Sequence, residues 1–239
     1  MANPAVAADH SAGIHMDVDQ FINDNRPQEG GDTFQLENSK LLDIAVDGEV
    51  TVKAGSMIAY EGNLDFTGSS NAEGGIKGFI KSKATGEGTP VMKVEGTGHL
   101  YVADDAKEVQ IMDLDADESI SVNGNDVLAF ESSVDYSIST IGSISGASAG
   151  GLTNVFLEGP GHIAISTHGK PLVLTPPVKT DPQATVAWSA NNSPSSSVNR
   201  SLSDMVGTSS GEQYQLDFSN PDGFVVVQPF EEGNPAQQQ

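Results

Sequence analysis

The chain has 239 residues, with 33 acidic against 11 basic side chains, a formal net charge of −22 and no cysteine. The lack of cysteine excludes a disulfide framework, thiol catalysis and cysteine-ligated metal centres, and the acidic field opposes nucleic acid, whose binding depends on Lys and Arg neutralising phosphate. Apolar residues make up 37%; with the 26 glycines added, the content is that of a globular domain whose core is spread over many short segments.

The same field opposes an anionic membrane surface except through a local basic patch. It suits an acidic cytosolic protein, and equally one kept soluble in high salt. Residues 1–13 show neither a basic region nor an apolar run, so no secretory signal is expected. No stretch approaches the roughly 18 apolar residues of a membrane-spanning helix. The expected setting is cytoplasmic, with membrane association only at the surface.

In chain order, residues 1–31 read as an acidic, partly disordered extension holding one short helix, Asp17 to Asp24, capped by an aspartate. Phe34 and Leu36, then Leu42, Ile44 and Val46, stand two apart, as half-buried strands require. Asp47-Gly48 followed by Val50 and Val52 predicts a hairpin. Met57-Ile58-Ala59-Tyr60-Glu61 is a further strand; Ile76 to Lys83 is another, set between a loop at Asn71–Gly75 and a turn at Thr85–Gly88. Strand and turn then alternate to residue 230. Asn191–Ser210 reads as a long loop with a short helix near Leu202–Val206, and residues 231–239 read as a disordered tail.

Two elements in this series repeat. Met57-Ile58-Ala59-Tyr60-Glu61 returns as Val127-Leu128-Ala129-Phe130-Glu131 and, more worn, as Thr185-Val186-Ala187-Trp188-Ser189. Gly96-Thr97-Gly98-His99-Leu100 returns as Gly159-Pro160-Gly161-His162-Ile163, with a fainter echo at Pro221 to Val227. The aligned alanines lie 70 and 58 residues apart (129 − 59 and 187 − 129). That is too long for a solenoid repeat. The expectation is a single all-β domain over residues 32–230, a β-sandwich or prism of three pseudo-repeats, with Tyr60, Phe130 and Trp188 as equivalent core anchors. Tyr60→Ala would then cost about 3–5 kcal/mol. The closing strand, Phe224 to Val227, is expected to pair back on the first unit and cover an open edge.

Gly55-Ser56-Met57-Ile58-Ala59-Tyr60, Leu157-Glu158-Gly159-Pro160-Gly161 and Thr167-His168-Gly169-Lys170-Pro171-Leu172-Val173-Leu174 resemble the signature segments of the altered inheritance of mitochondria protein twenty-four family. Many prokaryotic members of that family carry the label of a domain of unknown function. The resemblance implies a β-sandwich similar to the tryptophan RNA-binding attenuation protein fold. It also implies, for mitochondrial members, association with the inner membrane. It carries over no catalytic or ligand-binding residue.

Candidate chemistry is sparse. Gly146-Ala147-Ser148-Ala149-Gly150 matches the G-x-S-x-G serine elbow, but a further glycine and a strand follow in place of the helix that the mechanism needs. Asp113, Asp115 and Asp117 alternate, yet Glu118 and Gly124 occupy the positions where a calcium loop needs glycine and an acid. His99 and His162 are equivalent, and with His168 they would form a three-histidine metal site if they converged; no cofactor is otherwise expected. Lys77, Phe79, Ile80, Lys81 and Lys83 form a basic, apolar stretch that fits either an anionic membrane or partner surface, or an edge strand guarded by lysines.

Because the repeated residues are packing and turn residues rather than acids and bases, the favoured reading is a non-enzymatic interaction or scaffold protein. It would have protein partners, self-associate, and sit in a larger assembly or at a membrane periphery. A metal-dependent or small-molecule-binding cupin-like protein is the alternative, resting on the three histidines. RNA binding by analogy of fold comes last, because fold does not carry function.

Overall fold

The computed structural model describes residues 17–68, 91–141, 152–198 and 214–232. Helix α1 (Val18–Asp24) is capped by Asp17, whose side chain accepts from the Gln20 N–H at 2.8 Å. This is the short aspartate-capped helix expected from the sequence. It belongs to one compact unit ending at Gly30, and every strand belongs to a second beginning at Gly31. The fold is all-β and antiparallel.

After β1 (Phe34–Asn38), the strands fall into three equivalent units. The first has three unbroken strands, β2 (Leu41–Lys53), β3 (Met57–Gly68) and β4 (Val91–Val102). In the second, each is divided in two. β5 (Glu108–Leu114) and β6 (Ser119–Asn123) correspond to β2, β7 (Val127–Glu131) and β8 (Asp135–Ile141) to β3, and β9 (Leu152–Glu158) and β10 (Gly161–Thr167) to β4. The third repeats the divided pattern with β11 (Leu172–Leu174), β12 (Val178–Thr180), β13 (Thr185–Ser189), β14 (Ser195–Val198), β15 (Tyr214–Phe218) and β16 (Val225–Val227). One sheet runs β3-β4-β2-β7-β10-β5, with β1 beside β2; a second runs β11-β16-β13-β6-β9-β8; a third runs β12-β15-β14. Each divided unit thus keeps the β3-β4-β2 order of the first, once in each of two sheets.

The register proves the equivalence. Tyr60 faces Leu100, Phe130 faces Ile163 and Trp188 faces Val225. The same irregularity follows in each pair, skipping Ile58, Leu128 and Val186. The closing backbone bonds also match: Ala103 N–H to Ser56 O at 2.9 Å, Ser166 N–H to Asp126 O at 2.8 Å, and Gln228 N–H to Ala184 O at 2.9 Å. A motif worn almost beyond recognition in sequence therefore keeps its hydrogen-bonding geometry.

Where the strands divide is set by turn chemistry. Asp47-Gly48 does not make the expected hairpin: β2 runs through it, paired with β4 from Leu42 to Lys53. Gly48 has φ +115°, which only glycine adopts at little cost, so it bends the strand without ending it. The equivalent stretch of the second unit does turn, with the Glu118 N–H donating to Asp115 O at 3.0 Å. On β4, a Cβ at Gly96 would meet Asn63 O at 2.1 Å, so the β3–β4 ribbon crosses its bend only because that side chain is missing.

Three apolar clusters lie in series. The first centres on Leu42, Ile44, Leu100 and Val102, the second on Phe130, Val155, Leu157 and Ile163, and the third on Trp188, Leu216, Phe218 and Val225. Two sequence expectations are corrected. The closing strand pairs with β11 and β13, not with the first unit, because it is the third unit's own counterpart of β10. Ser195–Val198, expected as loop, is strand β14, the counterpart of β8. The strand expected at 76–83 and the helix near 202–206 lie outside the described residues.

Candidate interaction surface

The repeat places an aromatic at the same position in each unit, and the three meet different surroundings. Phe130 is 1% exposed and Trp188 2%, whereas Tyr60 is 48% exposed. Tyr60 is therefore not a core anchor, and the reason is topological. On its far side β7 receives β2, with Val50, Thr51 and Val52 opposite Glu131, Phe130 and Ala129. β13 receives β6 in the same register, Ile120, Ser121 and Val122 facing Ser189, Trp188 and Ala187. Among the described residues no strand lies on the far side of β3, which pairs with β4 alone. Ile58, at 61% exposure, shares this position, while its counterparts Leu128 and Val186 are fully buried.

Met57, Ile58, Tyr60 and Phe66 thus form an exposed apolar strip along an open sheet edge. Tyr60 and Phe66 pack edge to face, with ring centroids 5.1 Å apart, matching the Phe130–Tyr136 pair at 4.9 Å. The residues are organised as in a core but lack a covering layer. An open, apolar edge presents unpaired backbone groups together with side chains that gain from burial.

The three histidines do not converge. His99 Nδ1 lies 3.0 Å from Asp43, and burial holds that carboxyl above the usual aspartate range despite the histidine beside it. His162 lies between Glu131 and Asp113, each 3.0 Å away, so Asp113 is a histidine partner. His168 stacks on Phe230 at 4.0 Å and faces Glu232 at 3.7 Å. Each histidine has its own acid, and among the described residues no group of three or more His, Asp or Glu side chains could hold a metal ion.

The most perturbed electrostatics occur elsewhere, in a buried ionic cluster that the sequence did not single out. Lys107, nearly buried, contacts Asp126 Oδ1 at 2.9 Å, Asp104 Oδ2 at 3.6 Å and the carboxylate of Glu232. Lys53 adds a contact to Asp104 at 2.8 Å, and the Ser166 hydroxyl donates to the same carboxylate at 2.6 Å. Burial opposes charge on every member, but the neighbouring carboxylates win for Lys107, whose ammonium is held well above its ordinary range. Burial likewise opposes ionised Asp104 and Glu232, yet the lysines hold both carboxyls below the usual range. For fully buried Asp126, desolvation wins and the carboxyl is pushed well up. Burial and the Lys107 charge push His168 down. Two adjacent non-glycine residues with positive φ, Asp105 and Ala106, sit in the connection between Asp104 and Lys107. The cluster clasps the segment after β16 to the β4–β5 connection, with the Glu232 N–H bonded to Gln183 O at 3.0 Å. Glu232 is thereby fixed in the structure, although the sequence places it in a disordered tail.

A cleft of about 360 Å³ opens on the face holding Ser121, Ser137, Asn154, Phe156 and Trp188, and among the described residues no acid, base or histidine lines it. The Gly146–Gly150 stretch and the basic strip Lys77, Phe79, Ile80, Lys81 and Lys83 lie outside the described residues. A sequence signal for the ionic cluster does exist: Asp104 stands in phase with Leu100 and Val102, and Lys107 with Val109 and Ile111, so charges continue the apolar alternation just beyond the ends of β4 and β5.

Residues 34–230 match the family described as Mitochondrial biogenesis AIM24. The crystal structure of protein SPYM3_0169 from Streptococcus pyogenes is similar, with 21% identity and a TM-score of 0.63 over 83% of this chain and 93% of that one. At that identity the likeness concerns fold alone. No curated protein matches the chain.

Proposed function

Given that the chain belongs to the AIM24 family, we propose that it is a non-enzymatic interaction protein that assembles through the open edge of β3. The observation that carries this reading is the exposure of Ile58 and Tyr60 at positions whose counterparts are buried by a neighbouring strand in both other units. The non-enzymatic part draws support from the ionic cluster, where lysines and carboxylates are tied to one another rather than directed at a cleft. No helix among the described residues is long and apolar enough to cross a membrane. A cytoplasmic setting, with membrane contact only at the periphery, accords with the acidic charge.

Affinity capture from source-cell lysate tests the reading, comparing the native chain with an Ile58→Asp, Tyr60→Asp variant. Both positions are exposed, so the variant should fold and melt like the native chain while losing the captured proteins, further copies of the chain included. A folded variant that retains every captured protein would overturn it.

A further inference from the structure

We propose that the partner of the β3 edge is strand β12 of a second copy, docked in the register that already joins successive units within one chain. This rests on the interaction reading of β3 and names its occupant. Two internal seams supply the template. The second half of β2 lies against β7, and its counterpart β6 lies against β13, each through three residues in the same antiparallel register. The counterpart of those strands in the third unit is β12. This follows from the turn that each strand enters: Lys53 O, Asn123 O and Asp181 O accept from Ser56, Asp126 and Ala184 N–H at 3.1, 2.8 and 3.2 Å. Among the described residues β12 pairs with β15 alone, and β3 with β4 alone. Among the described residues the array of units is therefore open, and its two free ends are the complementary halves of one seam.

Continuing the register sets Thr180 opposite Ala59, Lys179 opposite Tyr60 and Val178 opposite Glu61. Lys179 would then lie on the same face as Tyr60, a cation beside an aromatic ring. The charges favour this arrangement over its rival. The ammonium of the Val178–Thr180 segment, on Lys179, already lies 3.1 Å from Asp217, so the segment meets Glu61 with the uncharged Val178, whereas two antiparallel copies of β3 would bring the Glu61 and Asp65 carboxylates of one copy close to those of the other. A heterologous contact of this kind generates a ring or a filament rather than a two-fold dimer.

Because the chain has no cysteine, the contact can be trapped without background. Facing Cα atoms in an antiparallel pair lie about 4.5–5.5 Å apart, within the roughly 4.4–6.8 Å that a disulfide spans. Tyr60→Cys and Lys179→Cys chains carrying different tags are mixed at concentrations where sedimentation shows assembly, then oxidised. The expected product joins one chain of each kind and is missing when either variant is oxidised alone; a Lys179→Glu chain should lose the higher-mass species. Unchanged melting of both cysteine variants establishes that they are folded. The proposal is overturned if the Tyr60→Cys chain links to itself, if the mixture gives no mixed product, or if no assembly forms at any concentration. A chain carrying both cysteines that closes on itself in dilute solution would overturn it too. Capture of a different protein that still depends on Tyr60, with no mixed product, would remove this inference and leave the interaction reading standing; loss of both would remove both.

Discussion

Tyr60, Phe130 and Trp188 show how far one residue position can differ in worth inside a repeat. Phe130→Ala empties a fully packed site and should cost about 3–5 kcal/mol, whereas Tyr60→Ala removes a side chain that is already half in water and should cost about 1 kcal/mol or less. Denaturant unfolding of the two variants measures the contrast; similar losses would mean that Tyr60 is covered. Tyr60 shares its aligned position with Phe130 and Trp188, which is why the sequence made it an anchor. Its exposure comes from the missing neighbour of β3 and not from any property of the residue.

At the scale of elements, the strands are joined by more than their ladders. Lys107 holds the β4–β5 connection, the start of β7 and the segment after β16 together through Asp104, Asp126 and Glu232. Replacing it by methionine leaves Asp126 and Glu232 without their paired counter-charge, a change that typically costs about 3–5 kcal/mol. The pH dependence of that loss has a definite sign. Asp104 and Glu232 are held low, so their stabilisation is present above the ordinary carboxylate pKa, about 4, and disappears as pH falls through their lowered values. Asp126 is held high, so it favours the fold at low pH and opposes it as pH rises through its raised value. Without Lys107 the Asp126 and Glu232 carboxyls should prefer to be protonated, while Asp104 keeps Lys53 at 2.8 Å, and the gap between native and Lys107→Met stability should narrow as pH falls from neutral towards about 4. Urea titrations across that range provide the check; a constant gap would show that Lys107 acts through packing alone.

For the whole molecule, the dominant quantity is the net charge of −22. Copies of such a chain repel one another at long range, and screening shortens that repulsion from a Debye length of about 30 Å at 0.01 M salt to about 3 Å at 1 M. Assembly through an apolar strand edge should therefore strengthen as salt is raised, in contrast to contacts made by opposite charges alone. Light scattering over a salt series would show masses above that of the 24.9 kDa chain growing with ionic strength; a loss of mass with added salt would mean that charge pairing drives the association.

The sequence by itself determined the all-β class, the capped helix α1 and the three-fold repeat, because alternation, turn residues and caps act over a few neighbouring positions. Even the worn third copy was legible, since Trp188 stands where Tyr60 and Phe130 stand. The tertiary structure decided what depends on which strand lies beside which: that Asp47-Gly48 bends a strand where Asp115–Glu118 turns one, that the three histidines find separate acidic partners, and that charges spread from Lys53 to Glu232 meet in one buried cluster. It also decided that, among the described residues, the series of units stays open, with Ile58 and Tyr60 at one end and Lys179 at the other. Local pattern records which face of a strand is apolar. Only the packed arrangement determines whether another strand covers that face, and here one apolar edge remains open.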